Sequence, residues 1–196
     1  DYIQLAYGVS IPDKQVCPDH STPWRAFCDS YFARYPVTIW KASRGFGGKS
    51  FTLAMLGKVM AETLKADVNI LGGSGEQARR VLEHIQRFAN SENAPRDLFE
   101  SGVQREMRLV WGNTINALMA SQASVRGPHP QKLLCDECDE MKLDILDAAL
   151  GQTMSVEGIP AQTTLSSTHQ YADGTMTDIL RRAAKNNWAV HTWCWK

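Results

Sequence analysis

Val37-Thr38-Ile39-Trp40, then Ser43-Arg44-Gly45-Phe46-Gly47-Gly48-Lys49-Ser50, then Phe51-Thr52-Leu53-Ala54-Met55-Leu56-Gly57-Lys58-Val59-Met60: these three pieces, in this order, decide the fold. The first is β-branched and apolar and reads as a buried strand, and the last has apolar residues at helical spacing. Between them lies a glycine loop that ends in Gly-Lys-Ser. Strand, glycine loop and helix are the context in which such a loop cradles phosphate, because successive backbone N–H groups and the positive end of the new helix converge on the anion. A plain glycine-rich turn is the alternative, and it does not account for the flanking strand and helix. The reading assigns phosphate contact to Ser43, Arg44, Gly45, Phe46, Gly47, Gly48, Lys49 and Ser50, with Phe51 next to them. Lys49 is placed on the β- and γ-phosphates and the Ser50 hydroxyl on a Mg²⁺ ion. Ser43 stands where the loop usually begins with glycine, and Arg44 adds a charge able to sense or neutralise the γ-phosphate.

Hydrolysis requires acidic groups at the end of a second strand. Leu133-Leu134-Cys135-Asp136-Glu137 supplies them. Asp136 is expected to hold the metal through its water shell, and Glu137 to orient and deprotonate the attacking water. The alternative is a strand running into a solvated acidic turn, since Asp139, Glu140 and Asp144 follow. The segment Cys135 to Cys138 also has Cys-x-x-Cys spacing, and Cys17-Pro18-Asp19-His20 has Cys-x-x-His spacing, so zinc is a second alternative. Zinc on Cys135 would draw Asp136 away from the proposed site, and buried free cysteine is the simpler reading.

The 196 residues are 43% apolar and 21% charged, enough for one core in a single domain. Five cysteines, an odd count without framework spacing, favour a reducing compartment. No leader pattern opens the sequence and no apolar run is long enough for a bilayer, so a soluble, intracellular protein without a membrane partner is expected. Lys and Arg balance Asp and Glu at 21 each, which leaves nucleic acid to a local patch or to added subunits. Residues 1–14 read as an arm with little periodicity, and residues 15–196 as the domain. A capped helix is expected over Ser21 to Phe32, a strand over Asp67 to Leu71 and a helix over Glu76 to Phe88. A hairpin turning at Gly112-Asn113 is expected to join Arg105–Trp111 to Thr114–Met119. Further strands fall at Gln162–Ser166 and Ala189–Trp195. The fold class is α/β: a mostly parallel central sheet flanked by helices, with a β-hairpin insertion.

The strand from Gln162 ends in Ser166-Ser167-Thr168-His169, and small polar groups there are candidates for sensing the γ-phosphate and coupling hydrolysis to motion. A capped turn opening the helix Thr175 to Ala184 is the competing reading.

Together these elements resemble the ATPase domain of the large terminase subunit, the motor that packages DNA into tailed-phage and herpesvirus heads. The resemblance rests on the arginine-bearing loop Ser43-Arg44 through Lys49-Ser50, on Ser124-Val125-Arg126-Gly127 ahead of Leu133-Leu134-Cys135 with Asp136-Glu137, and on Ser166 to His169. It implies a P-loop NTPase of the additional-strand catalytic Glu type, with ATP as substrate and Mg²⁺ as cofactor. Lys49 and Ser50 then bind phosphate and metal, Asp136 holds the metal, Glu137 is the base and Ser166 to His169 form the coupling motif. Arg126 resembles an arginine finger offered to a neighbouring subunit, and Arg44 competes for that role. The segment ahead of the loop commonly lines the adenine site in such motors, which points to His20 and Trp24. The resemblance further implies double-stranded DNA, a portal protein and a small terminase subunit as partners, a ring of five when assembled, and host cytoplasm as the location. No second acidic constellation is left over, so no nuclease activity is expected of this chain. Two other classes share the nucleotide motifs: a helicase or remodelling ATPase, for which only one motor lobe fits in this length, and a non-catalytic nucleotide-binding assembly module, which has no use for Glu137.

Overall fold

The computed structural model describes residues 2–43, 45, 48–103, 105–121, 125 and 129–194, with the side chains of 101–103 excepted. Eight strands form one sheet in the order β3-β4-β5-β2-β6-β7-β1-β8. They are β1 (Val37–Ala42), β2 (Val68–Gly72), β3 (Phe99–Val103), β4 (Glu106–Leu109), β5 (Thr114–Met119), β6 (Lys132–Asp136), β7 (Gln162–Ser167) and β8 (Ala189–Trp193). From β5 to β8 every pairing is parallel, and only the β3–β4 and β4–β5 pairings at one edge are antiparallel. The expected mostly parallel sheet with a hairpin insertion is therefore present. One strand, β7, lies between β1 and β6.

Alternation along the inner strands assigns the two faces. Trp40, Ala42, Val68, Ile70 and Leu134 pack with the helices α1 (Tyr2–Tyr7), α2 (Pro23–Tyr31), α3 (Lys49–Thr63) and α4 (Gly75–Ala89). Val37, Ile39, Leu133, Cys135 and Leu165 face the other way, against α5 (Leu143–Leu150) and α6 (Thr175–Ala183). Strands buried on both faces are what parallel sheets require, and they explain the continuous apolar runs in β1 and β6. Helix α3 is buried nearly all round, so its apolar residues show no single stripe.

Local chemistry fixes the helix starts and the hairpin. Thr22 caps α2 by accepting from the Arg25 N–H at 3.1 Å, with Pro23 in its first turn. Ser74 and Gln77 form a reciprocal capping box on α4. Gly72 allows that helix to start so close to the sheet, because a Cβ there would lie 2.4 Å from the backbone nitrogen of Ala78. The hairpin is pinned beneath α3 by Asn113, whose Nδ2 donates to the carbonyls of Ala61 and Ala66, each at 3.0 Å.

Three elements differ from the sequence reading. The arm contains helix α1, and its Ile3, Ala6 and Tyr7 are buried in the core. Their i, i+3, i+4 spacing is helical, but six residues are too few for the period to stand out. Strand β3, Phe99-Glu100-Ser101-Gly102-Val103, lacks a strand pattern and exists by pairing with β4. The acidic run after Glu137, where a solvated turn was the alternative, forms a 3-10 turn at Cys138–Glu140 that leads into helix α5, and Leu146 and Ala149 anchor that helix under the sheet. Strand β8 ends at Trp193, and Trp195 of the expected strand lies outside the described residues.

Candidate active site

Strands β1, β7 and β6 end side by side, in a register that pairs Trp40 with Ser166 and Ser166 with Asp136. Beyond β1 the backbone of Gly45 and Gly48 is left-handed, at φ 75° and 60°, and a side chain at either would be strained. Lys49 opens α3 and is buried. Its Nζ donates to the carbonyls of Ala42 at 3.4 Å and Ser43 at 3.3 Å and to Thr168 Oγ1 at 3.0 Å. The next residue, Ser50, donates its hydroxyl to Asp136 Oδ2 at 2.6 Å, which joins the start of α3 to the end of β6.

The two carboxylates differ in setting. Asp136 is buried, and burial pushes its carboxyl above the ordinary range, while the Ser50 hydroxyl and the Lys49 charge pull it back in part. Its Oδ1 is buried without a hydrogen-bond partner. A buried carboxylate oxygen left unpaired beside a hydroxyl is a donor set that suits a small hard cation, so the residues present fit Mg²⁺. Glu137 is half-buried and left-handed, at φ 51° and ψ 50°. That conformation costs a non-glycine residue on the order of 1 kcal/mol, and it turns the side chain out of the strand direction immediately after Asp136.

The end of β7 and the residue after it reach Glu137 and Lys49. Ser167 Oγ lies 3.4 Å from Glu137 Oε2 and accepts from the backbone N–H of Asp139 at 3.1 Å, while Thr168 accepts from Lys49. Ser166 Oγ is buried and unpaired. His169 points elsewhere: its Nε2 is 2.8 Å from Thr177 Oγ1, in the first turn of α6.

Asp139 is what the sequence reading missed. It stands in the run of acids for which a solvated turn is the alternative reading, yet it is 5% exposed. Its carboxylate accepts backbone N–H groups from Gln170 at 2.9 Å, Tyr171 at 3.3 Å and Met176 at 2.8 Å. It therefore holds both sides of the turn between β7 and α6. Gly174 makes room for it, since a Cβ at that position would meet Asp139 Oδ1 at 2.7 Å. Its offset of three residues from Asp136 was visible; that the turn after β7 would close over it was not.

The other candidates are placed as follows. Ser43 lends its carbonyl to Lys49, and its Oγ is buried and unpaired. Phe51 packs edge-on against His84 and Phe88. Trp24 stacks on Phe27 and lines a cavity of about 550 Å³ with Ile3, Ile11, Tyr31 and Val59. His20 sits with Cys17 and Cys194. Arg44, Phe46, Gly47, Ser124, Arg126 and Gly127 lie outside the described residues. Cys135 and Cys138 are buried in the core with their thiols pushed up by burial, consistent with free cysteines that pack.

Solved structures share this fold. The large terminase of bacteriophage HK97 matches 96% of the chain with a TM-score of 0.70 at 15% identity. A large terminase from a thermophilic bacteriophage matches 86% with a TM-score of 0.62 at 14% identity, and a structure of it in complex with ADP matches 86% with a TM-score of 0.58 at 15% identity. The fold is that of the large terminases. The chain spans 41% of the length of the HK97 protein and 45% and 44% of the two other chains. No protein-family model and no curated protein matches the sequence.

Proposed function

We propose that this chain is the ATPase motor of a phage large terminase, hydrolysing ATP to drive double-stranded DNA into a preformed capsid. The observation that carries the proposal is the convergence of Lys49, Ser50, Asp136, Glu137, Ser167 and Thr168 at the carboxyl ends of the interior strands β1, β7 and β6 of a sheet with the large-terminase fold.

In this reading the loop Ser43 to Ser50 surrounds the triphosphate, and Lys49 exchanges the Ala42, Ser43 and Thr168 oxygens for phosphate oxygens. Ser50 and Asp136 would hold Mg²⁺, which would supply positive charge to the triphosphate. Glu137 takes the proton of the attacking water. Because Thr168 contacts Lys49 and Ser167 contacts Glu137, loss of the γ-phosphate changes two contacts of the same turn. Asp139 anchors the far side of that turn, so the change is passed towards α6. Arg126, with Arg44 as the competitor, supplies the transition-state charge from a neighbouring subunit, and a ring at the portal of the capsid, recruited by a small terminase subunit, is the working assembly.

The test is ATP turnover against protein concentration, with and without double-stranded DNA. Turnover that rises more than linearly with concentration is expected, with nucleotide binding lost in Lys49→Ala and binding kept but hydrolysis lost in Glu137→Ala. Linear turnover stimulated by single strands would replace the motor by a helicase, and binding without turnover under every condition would leave an assembly module.

A further inference from the structure

We infer that Cys17, His20 and Cys194 form a binding site for one zinc ion. Their ligand atoms all lie within 4.8 Å of one another, although Cys194 is at the opposite end of the chain from the other two. Cys17 and His20 belong to a Cys-x-x-His step in the segment ahead of α2, and Cys194 follows the last residue of β8. The two are brought together by the backbone N–H of Ser21, which donates to the carbonyl of Thr192 at 2.9 Å. Two sulfurs and an imidazole are soft to borderline donors, which select zinc over Mg²⁺ or Ca²⁺.

The alternative for the same atoms is a disulfide. The Cys17 and Cys194 sulfurs are 3.0 Å apart. A disulfide would close that distance to about 2.05 Å. A shared tetrahedral zinc, with Zn–S near 2.3 Å, would open it to about 3.8 Å, also by less than an ångström. His20 decides between them. Its Nδ1 is buried without a hydrogen-bond partner. A disulfide leaves that nitrogen uncompensated, whereas an ion held by all three residues explains why an imidazole is placed against two thiols. Three protein donors leave the fourth tetrahedral position to water.

The position has a consequence for the nucleotide site. Trp193 pairs with Ala42, and Ser43, the next residue, opens the phosphate loop. The zinc would thus staple the chain ahead of α2 to the edge strand beside that loop, and it replaces the adenine-lining role considered for His20.

The experiment uses the whole chain purified without chelator. Elemental analysis is expected to give close to one zinc per chain in wild type and in Cys28→Ser, and markedly less in His20→Ala and Cys194→Ser. Replacement by Co²⁺ guards against variants that fail to fold: wild type should show a thiolate-to-cobalt charge-transfer band, and His20→Cys should keep the metal and strengthen that band. Folded wild-type protein with no stoichiometric metal and no such band would overturn the proposal, as would recovery of a Cys17–Cys194 disulfide by peptide mapping under non-reducing conditions. None of these readouts depends on ATP turnover, so the zinc site and the motor reading fail independently.

Discussion

Replacing Asp139 tests whether the turn after β7 is held by one buried carboxylate. Its three acceptor bonds come from the backbone N–H groups of Gln170, Tyr171 and Met176 at 2.9, 3.3 and 2.8 Å. A hydrogen bond to a charged group contributes about 1.5 kcal/mol at the low end, and the 3.3 Å bond counts for about half. The sum, about 4 kcal/mol, is the expected loss in Asp139→Ala, where the donors also lose their acceptor. In Asp139→Asn one oxygen remains for Met176 and an amide N–H₂ is turned against the Gln170 and Tyr171 donors, for an expected loss of about 2–3 kcal/mol. At this chain length that lowers Tm by about 5–10 °C. Denaturant unfolding with a constant m-value measures the loss, and amide exchange reads its location: Gln170, Tyr171 and Met176 should lose protection well beyond the global change. A loss under 0.5 kcal/mol in Asp139→Asn, or unchanged exchange at those amides, would refute the anchoring argument.

Two further outcomes follow from buried charge. Burial raises the Asp136 carboxyl above its ordinary 3.8, so ionising it costs stability as pH rises from that value through the raised folded one. Asp136→Asn should therefore be more stable than metal-free wild type at pH 7, the gap closing below about pH 4, and Mg²⁺ should raise the Tm of wild type and leave the variant unchanged. Lys132, wholly buried at the foot of β6 with its Nζ on the Pro160 carbonyl at 2.8 Å, has its ammonium pushed down to about 8 by burial. Its penalty is present below that pH and is relieved as pH rises from 8 to the unfolded 10.5. Lys132→Met should gain about 2 kcal/mol at pH 7, desolvation relief less one lost hydrogen bond, and the advantage should shrink above pH 8 and reverse by pH 10.5, where only the lost bond remains; urea midpoints at pH 7 and 10.5 check it.

Local chemistry was legible in the sequence wherever a few neighbouring residues suffice for it. The glycine loop had to follow a strand and open a helix, because only glycine enters the left-handed backbone of positions 45 and 48 without strain and only a helix start presents so many unpaired N–H groups. The capped start of α2 and the Gly112-Asn113 turn declared their roles for the same reason. Strand order was not legible. That β7 would lie between β1 and β6, and so set Ser167 and Thr168 between Glu137 and Lys49, depends on side-chain packing summed over two faces of the sheet. Asp139 carried no local sign that distinguished it from Glu140, because burial is conferred by the turn that folds over it from 31 to 37 residues away in sequence. The meeting of Cys17 and His20 with Cys194 is the extreme case: the Cys-x-x-His spacing names two donors, and only the docking of the segment ahead of α2 on the edge strand supplies the third.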